Sequence, residues 1–255
     1  MVAATIAQLW RYPVKSLGGE RVDSTQITDV IPGDRAWGVF ATESGHLLSA
    51  KTVPALLHGA ARLDGEECVI TTPVGTTGSA DPDVDHILST WLEQPVGLRS
   101  AGGETTSTIA IEWDEGQDDP PDELPVFEFP TQPGWFYDST SSLHIIGTGT
   151  LAHIEANVGP GAGAVERYRP NIVVETTEAH QEEGWVDQIL AIGSARAWVK
   201  KPTDRCVVIT RSLPGHEPGR GALRFLAKDN ERNAGISAQP RRPGTAAVGD
   251  VIDVA

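Results

Sequence analysis

Cysteine is scarce in this chain, and its scarcity excludes several kinds of site. The 255 residues include two cysteines, Cys68 and Cys206, which lie far apart and outside any CxxC pair. They cannot form a disulfide framework, a four-thiolate zinc site or an iron–sulfur cluster. The seven histidines are scattered and form no HExxH pattern of a zinc protease. A redox reaction in this chain would therefore need electrons from an external partner.

Positive charge is scarce as well. The chain has 20 Lys and Arg against 35 Asp and Glu, a net charge of −15 and an isoelectric point near 4.8. This balance argues against nucleic acid and anionic membranes as partners. No segment approaches the roughly 20 apolar residues of a membrane span, and the N-terminus lacks a basic targeting region. We therefore expect a cytoplasmic protein, and hypothesise that its few cations gather at one site.

Apolar alternation predicts short strands in the first hundred residues, which is typical of a twisted barrel or sandwich. The predicted strands cover 3–10, 20–28, 35–41, 46–50, 61–63 and 67–72. A hairpin is expected at Asp64-Gly65, a short helix within 53–62 and a helix over 83–93. Cys68 lies inside a predicted strand with no basic neighbour, so we interpret it as a packing residue.

The second half begins with an acidic, proline-bearing stretch between 101 and 133, interpreted as a loop. Strands are predicted at 143–146, 172–175, 187–199 and 207–209, helices at 148–158 and 221–228, and a closing hairpin at 244–254. The segment from Gly147 to Ala152 fits GxGxxA between a strand and a helix, the outline of a dinucleotide-binding turn. No acidic residue ends a predicted strand at the expected distance of about 20 residues, since Glu175 lies further on, and this argues against that site.

Cys206 follows Arg205 and opens the β-branched run 207–209, so its thiol would stand at the mouth of a strand. The guanidinium would favour the thiolate, the form that binds metals or attacks electrophiles. The alternative is a buried cysteine that acts as a small hydrophobe.

Two further segments carry candidate ligand-binding groups. Lys15 and Ser16 lie in a loop after Pro13, where an ammonium and a hydroxyl could meet a phosphate; a solvated loop is the alternative. Arg169 and Asn171 flank Pro170 at a strand start, a rigid position suited to an anionic or amide-bearing ligand. A salt bridge and a turn would explain that segment equally well.

The order of five motifs resembles the MOSC family, in particular the branch with an N-terminal β-barrel domain that includes the mitochondrial amidoxime-reducing component and its bacterial relatives. The motifs are WRYPVKS at 10–16, DRAW at 34–37, YRPN at 168–171, DRC at 204–206 and VGDV at 248–251. The resemblance implies a mixed α/β, mainly β fold. It implies an N-terminal β-barrel domain over 1–100 and a MOSC domain with a barrel-like core and peripheral helices over 101–255.

The resemblance also implies a molybdenum cofactor with Cys206 as the metal ligand. Groups that match positions holding the pterin and its phosphate are Lys15, Ser16, Arg35, Arg169 and Asn171. Arg205 matches the arginine beside the ligand, and Thr140 and Ser141 match a hydroxyl pair. A phosphate and a pterin call for positive charge and hydroxyl donors, in agreement with these residue types.

The chain departs from the family pattern at two places. Relatives carry an acidic residue directly before the hydroxyl pair, whereas Ser139 stands there in this chain and Asp138 is one position earlier. Asp138 is the candidate proton donor. The segment after the cysteine lacks the usual Asp-Pro turn, so Arg211 and His216 are candidates to line the substrate mouth. His216 could also pass protons near neutral pH.

The resulting hypothesis is a cytoplasmic molybdenum-dependent oxidoreductase that reduces small N-hydroxylated or N-oxide substrates. Its electrons would come from a flavin reductase, ferredoxin or cytochrome type of donor. A first alternative is a molybdenum cofactor carrier or a sulfur-transfer protein with a persulfide on Cys206. A second alternative is a metal-free lyase or binding module. The resemblance to the family also implies an association with pyridoxal phosphate binding.

Overall fold

The computed structural model describes residues 2–101, 107–112, 125–131, 134–136 and 141–254. It divides the chain into two compact, interleaved units. We call the first the barrel unit; it comprises Met1–Trp10, Arg21–Pro32 and Thr140–Ala255. The second, the sheet unit, comprises Arg11–Glu20 and Gly33–Ser139. Since the first ten residues belong to the barrel unit, a single cut in the sequence does not separate the two.

Most of the strands are short, but three of them are each ten residues long. In chain order they are β1 (Val2–Arg11), β2 (Glu20–Val22), β3 (Ser24–Ile27), β4 (Trp37–Ala41), β5 (Ala60–Asp64), β6 (Glu67–Thr72), β7 (Gly75–Gly78), β8 (Val96–Ser100), β9 (Ser107–Glu112), β10 (Val126–Thr131), β11 (Leu143–Gly147), β12 (Ile172–Val174), β13 (Ile189–Ile192), β14 (Ala195–Asp204), β15 (Asn233–Arg242), β16 (Gly244–Ala247) and β17 (Val251–Val254).

Helices are fewer. The α-helices are α1 (Val84–Leu92), α2 (Thr148–Val158), α3 (Val165–Tyr168) and α4 (Ala222–Asp229), and 3₁₀ helices cover Pro54–His58, Gln181–Trp185 and Val207–Thr210. None of the helices in the described ranges combines the length and hydropathy needed to cross a membrane.

Seven strands of the barrel unit close into a barrel, which confirms the mainly β fold class. Their order is β12-β11-β15-β14-β13-β17-β1, and β1 pairs with β12 to complete the ring. The β11–β12 pair is parallel and is connected through α2 and α3. Alternate apolar side chains fill the interior, as expected for period-two strands that face a core. The fully buried ones include Leu9, Ile145, Ile172, Leu190, Ile236 and Ile252.

The sheet unit contains the meander β5-β6-β7 and the pair β4–β8. The buried face of α1, formed by Val84, Leu88 and Leu92, belongs to the same apolar cluster as Cys68. Cys68 has no exposed surface, and burial raises the pKa of its thiol to about 12. The predicted packing role of Cys68 and the hairpin at Asp64-Gly65 are both confirmed.

The prediction of a strand over 207–209 was wrong. Strand β14 ends at Asp204, and Val207–Thr210 forms a 3₁₀ helix. The amide of Ile209 donates to the Cys206 carbonyl at 3.3 Å, while the Ile209 side chain is 1 % exposed. The β-branched residues therefore bury one side chain through a tight turn rather than extending along a neighbouring strand.

Two other predictions, the strand over 46–50 and the closing hairpin over 244–254, were wrong. In 46–50 only Leu47 forms an isolated bridge, to Phe40, and the chain then turns. The segment 244–254 is not a hairpin, since β16 pairs with β3 whereas β17 pairs with β1 and β13. Gly249 turns the chain between them with φ +90°.

The turn that resembles a dinucleotide site is filled by a side chain of the protein. The Glu182 carboxylate, with no exposed surface, accepts bonds from the Gly147 amide at 3.0 Å and the Thr150 hydroxyl at 2.8 Å. A carboxylate at a helix N-terminus is favourable because it meets unpaired amides and the positive end of the helix dipole. Glu182 thus stands where a ligand phosphate would bind.

A buried arginine in α3 fixes the segment after Cys206. The Arg167 side chain is 2 % exposed, and its guanidinium donates to the carbonyls of Gly161 (2.6 Å), Ile209 (3.3 Å), Arg211 (2.6 Å) and Glu217. Burial lowers the pKa of Arg167, but the four carbonyls favour the charged form. One side chain thereby connects the glycine-rich loop, the 3₁₀ helix and the 211–217 loop.

We expect Arg167→Met to destabilise the protein by about 3 kcal/mol or more, because buried carbonyls would lose their donors. Urea unfolding should show this as a lower transition midpoint. The matched control is Arg62→Met, which removes an ion pair to Asp64 whose side chains are 54 % and 69 % exposed; its effect should stay under about 1 kcal/mol. Equal midpoints for the two variants would contradict this account of Arg167.

Candidate functional site

The thiol of Cys206 lies between the end of β14 and the 3₁₀ helix that follows it. The residue is half-buried and free, and its backbone is extended, with φ −113° and ψ 177°. Its carbonyl is used by the Ile209 amide, so the chain direction changes directly after the thiol. Of the two cysteines, Cys206 is the one that is not fully buried.

Arg205, the residue before the thiol, holds this strand end against α3. Its guanidinium donates to the Tyr168 carbonyl at 2.7 Å and lies 5.3 Å from the centre of the Tyr168 ring. A second nitrogen of the guanidinium is 3.3 Å from Nε2 of His144. Burial raises the pKa of Tyr168 to about 12. These contacts position Cys206; the effect of Arg205 on the thiolate stays a prediction.

Arg169 and Asn171 are placed differently although only Pro170 separates them. Arg169 ends α3 in the left-handed conformation, φ +52°, and is half-buried. Asn171 has no exposed surface. Its amide oxygen accepts from the His144 amide at 3.2 Å, and its amide nitrogen donates to the Trp10 carbonyl at 3.4 Å. Asn171 therefore joins β1 to β11, and its predicted contact with a pterin remains untested.

Of the predicted hydroxyl pair, the structure describes one member. The Oγ atom of Ser141 is buried, with no hydrogen-bond partner among the described residues, whereas the neighbouring Ser142 donates to the Asp29 carbonyl at 2.6 Å. A buried hydroxyl without a protein partner is costly and suits a bound polar group. Thr140 and Asp138 lie outside the described residues.

In the sheet unit, Lys15 and Ser16 are held by backbone groups. Lys15 is 5 % exposed, and its ammonium donates to the Trp135 carbonyl at 2.6 Å. Ser16 has φ +72°, and its hydroxyl accepts from the Ala50 amide at 3.1 Å. A solvated loop does not describe this pair, because the lysine is almost completely buried.

Ser49 and Lys51 are polar residues that sequence reasoning missed. They flank Ala50, which bonds to Ser16, and they are 1 % and 6 % exposed. The Ser49 hydroxyl has no hydrogen-bond partner among the described residues. A second buried lysine close along the chain to the Ser16 contact adds positive charge that favours an anion. The available signal was a lysine directly after the apolar run at 47–50.

Arg35 forms a pair with its neighbour. Asp34 is 1 % exposed and accepts from the Tyr12 amide at 2.7 Å, and its other oxygen pairs with the Arg35 guanidinium. The guanidinium also lies 5.2 Å and 5.4 Å from the centres of the Tyr12 and Phe136 rings. Part of the charge of Arg35 is therefore balanced within the protein.

The loop after the cysteine is a tight structure. The Leu213 amide donates to the His216 carbonyl at 3.2 Å, and the His216 amide donates to the Leu213 carbonyl at 2.9 Å. The half-buried His216 ring packs against Gly161, where an added Cβ would be 3.2 Å from Nδ1. The carbonyl of Arg211 is one of the four that Arg167 bonds. The predicted roles of Arg211 and His216 at a substrate mouth stay predictions.

An arginine-lined groove lies beside the same 3₁₀ helix. Its volume is about 650 Å³. The lining residues are Thr210, Arg220, Gly221, Leu223, Arg224, Ala227 and Arg232. The three arginines are exposed, and the carbonyl of Arg232 accepts from the Arg205 amide at 2.9 Å. Arg232 also pairs with Asp204 at 3.4 Å, so Arg220 and Arg224 provide most of the positive charge of the groove. The backbone bond between Arg205 and Arg232 connects the groove to the residue next to Cys206.

Two protein-family models match this chain. The model described as the MOSC N-terminal beta barrel domain matches residues 3–95, and that of the MOSC domain matches 132–253. Lys15, Ser16 and Arg35 fall in the first match, and Cys206 falls in the second. The predicted division at residue 100 lies in the interval between them and stays a prediction.

Individual known proteins are similar to this chain at low sequence identity. Human mitochondrial amidoxime-reducing component 1 is 26 % identical over 236 residues, which cover 81 % of this chain and 66 % of that protein. The chain therefore spans slightly less than two thirds of this relative. The crystal structure of the YuaD protein from Bacillus subtilis covers 98 % of this chain and 93 % of its own, with 14 % identity and a TM-score of 0.48. YiiM from Geobacillus stearothermophilus covers 46 % and 55 %, with 15 % identity and a TM-score of 0.34.

The family matches follow the order of the motifs, with the lysine loop in the N-terminal match and the cysteine in the C-terminal one. The chain belongs to the MOSC family and carries a MOSC N-terminal beta barrel domain before its MOSC domain.

Proposed function

We propose that this protein binds a molybdenum cofactor and reduces N-hydroxylated or N-oxide substrates with electrons from an external donor. The observation that carries the proposal is the free, half-buried thiol of Cys206 at the end of β14, within the MOSC match. It stands at the position that the family resemblance gives to the metal ligand. The relative named for amidoxime reduction supports the reaction class.

The residue types fit such a cofactor. A thiolate is a soft ligand suited to a metal centre that tolerates sulfur. The buried ammonium groups of Lys15 and Lys51 suit a phosphate. The buried hydroxyls of Ser49 and Ser141, without partners among the described residues, suit polar groups of a ligand.

Each residue then has a distinct task. Cys206 would bind the metal, and Arg205, through Tyr168, would keep the thiol in place. Lys15 and Lys51 would neutralise the phosphate. When bound, the cofactor supplies two-electron redox chemistry at its metal, while the protein provides binding and orientation.

Reduction of an N–OH group to N–H consumes two electrons and two protons and releases water. The electrons must come from the external donor. His216 is half-buried in the loop that follows the 3₁₀ helix after Cys206, and its imidazole carries a nitrogen that can donate a proton. His216 and Asp138 are therefore the candidate proton donors among the predicted residues.

The thiol of Cys206 also supports the alternative of a cofactor carrier or a persulfide-bearing sulfur-transfer protein. Both need an accessible cysteine, and neither needs bound cofactor to turn over. Tight cofactor retention with turnover favours the reductase, whereas rapid release or sulfur transfer favours the alternative. The association with pyridoxal phosphate stays a prediction, since neither family match bears on it.

We expect Cys206→Ala to lose molybdenum, because alanine has no atom that can replace the thiolate as a metal ligand. The protein should be produced in a host that makes the cofactor, and molybdenum per chain measured by elemental mass spectrometry. Cys68→Ser is the matched control and should keep the metal, since Cys68 is fully buried in an apolar cluster. Normal molybdenum content in Cys206→Ala would overturn the ligand assignment.

We expect Lys15→Met and Lys51→Met each to weaken cofactor retention about tenfold or more, because each removes a buried charge without removing the aliphatic stem. Cofactor release during dialysis, followed by the fluorescence of the oxidised pterin, measures the effect. Lys228→Met removes an exposed lysine and serves as the control. Retention equal to wild type in both lysine variants would remove them from the phosphate site.

The arginine-lined groove is the described surface best suited to an acidic electron donor. We expect the double variant Arg220→Glu, Arg224→Glu to slow turnover about tenfold with an acidic ferredoxin, because steering by opposite charge is lost. Turnover with the small donor reduced methyl viologen should change little. Arg21→Glu, at another exposed arginine, is the control. Equal losses with both donors would show that the groove arginines act on the fold or the substrate instead.

A further inference from the structure

Three side chains with metal-binding atoms converge in the barrel unit, and none of them belongs to the segment around Cys206. They are His153 in α2, His180 directly before the 3₁₀ helix Gln181–Trp185, and Asp229 at the end of α4. One donor atom from each lies within 4.8 Å of the other two. Their partial exposure, 34 %, 17 % and 27 % of the side chains, leaves access for a hydrated ion.

Two of the three separations between donor atoms are close to those of a filled zinc site. Nε2 of His153 and Nε2 of His180 are each 3.1 Å from the same oxygen, Oδ2 of Asp229. Zinc bonds to imidazole and carboxylate are about 2.0–2.1 Å, so donors at two corners of a tetrahedron are separated by about 3.3 Å. The two measured separations need a change of only a few tenths of an ångström.

One contact of His180, to a carboxylate, is of the kind found behind a metal-bound imidazole. Its Nδ1 lies 3.5 Å from Oε1 of Glu183 and 2.9 Å from the side-chain amide of Asn230. Metal-binding histidines usually donate their second N–H to a carboxylate or a carbonyl, which orients the ring. Glu183 provides the carboxylate, and the side-chain nitrogen of Asn230 donates to that carboxylate at 2.6 Å and to the Asn233 carbonyl at 3.2 Å.

The backbone holds His180 in place before any ion binds. The residue has φ +58°, a left-handed conformation that is costly for a non-glycine residue. Its amide donates to the Thr150 hydroxyl at 2.8 Å, and that hydroxyl donates to the buried Glu182 carboxylate. The ring of His153 is 5.4 Å from the Phe225 ring. The site is therefore preorganised by contacts that do not involve the donor atoms.

We propose that His153, His180 and Asp229 form a zinc(II) site, with the fourth position left for water or a small anionic ligand. Two imidazoles and one carboxylate form a donor set that zinc accepts, and three protein ligands leave a coordination position open. The ion would connect α2 to α4. Because α4 carries Arg224 of the groove, zinc would also fix the helix that lines it. This site is independent of the molybdenum cofactor.

The test uses the untagged full chain, made in a host unable to synthesise molybdopterin and treated with a chelator. Zinc chloride is titrated in competition with a chromophoric chelator. We expect one zinc per chain with a Kd that is roughly micromolar or tighter. His180→Gln and Asp229→Asn should each weaken binding at least about tenfold, and Glu183→Gln about tenfold through the orientation of His180.

Two controls separate this site from the other metal-binding groups. His86→Gln removes an exposed histidine of α1, and Cys206→Ser removes the accessible thiol; both should bind zinc as wild type does. Cobalt(II) should give the visible bands of a tetrahedral site without a sulfur charge-transfer band. Loss of zinc binding in Cys206→Ser, or unchanged affinity in both His180→Gln and Asp229→Asn, would overturn the proposal. So would the absence of zinc binding by the wild type, which would leave the three residues as an ion-pair cluster.

Discussion

The burial of one guanidinium constrains the part of the barrel unit that carries the thiol. Removing the charge of Arg167 from water costs several kcal/mol unless protein acceptors replace the lost hydration. The four carbonyls that do so come from three separate segments. Each segment is thus held at hydrogen-bond distance from the same side chain, and the 3₁₀ helix after Cys206 is one of them. The position of the thiol follows from this requirement as much as from the end of β14.

The spacing of apolar residues and the residue types found in tight turns were sufficient to predict the elements whose local sequence pattern is unambiguous. The strand at 3–10, the hairpin at Asp64-Gly65 and helices α1, α2 and α4 were all predicted close to their observed bounds. The sequence was not sufficient to predict the structure of a β-branched run that does not pair with a strand. Val207–Thr210 has the composition of a strand, yet it turns because the contacts of Ile209 and Arg167 outweigh local preference. Pairing partners, as for β16 and β17, depend on the whole topology.

The motifs did not predict which side chain in each segment is available to a ligand and which is used within the fold. Arg169 and Asn171 form one motif, but the amide of Asn171 is used between strands and has no exposed surface. The guanidinium of Arg205 likewise donates to the Tyr168 carbonyl, a contact within the fold. Lys51 gave no motif, since a lysine after an apolar run usually covers a surface with its stem. Whether a polar group faces the fold or a ligand depends on neighbours that are distant in sequence.

The few cations of this acidic chain occupy more than one kind of environment, contrary to a single gathered site. Arg167 is buried and satisfied by carbonyls, so it needs no ligand. The arginines of the groove are exposed and hydrated, and their effect on a partner weakens with salt. Lys15 and Lys51 are buried ammonium groups, which are strongly hydrated ions and costly to desolvate. Any ligand that binds these groups in the folded state alone would stabilise the sheet unit by mass action.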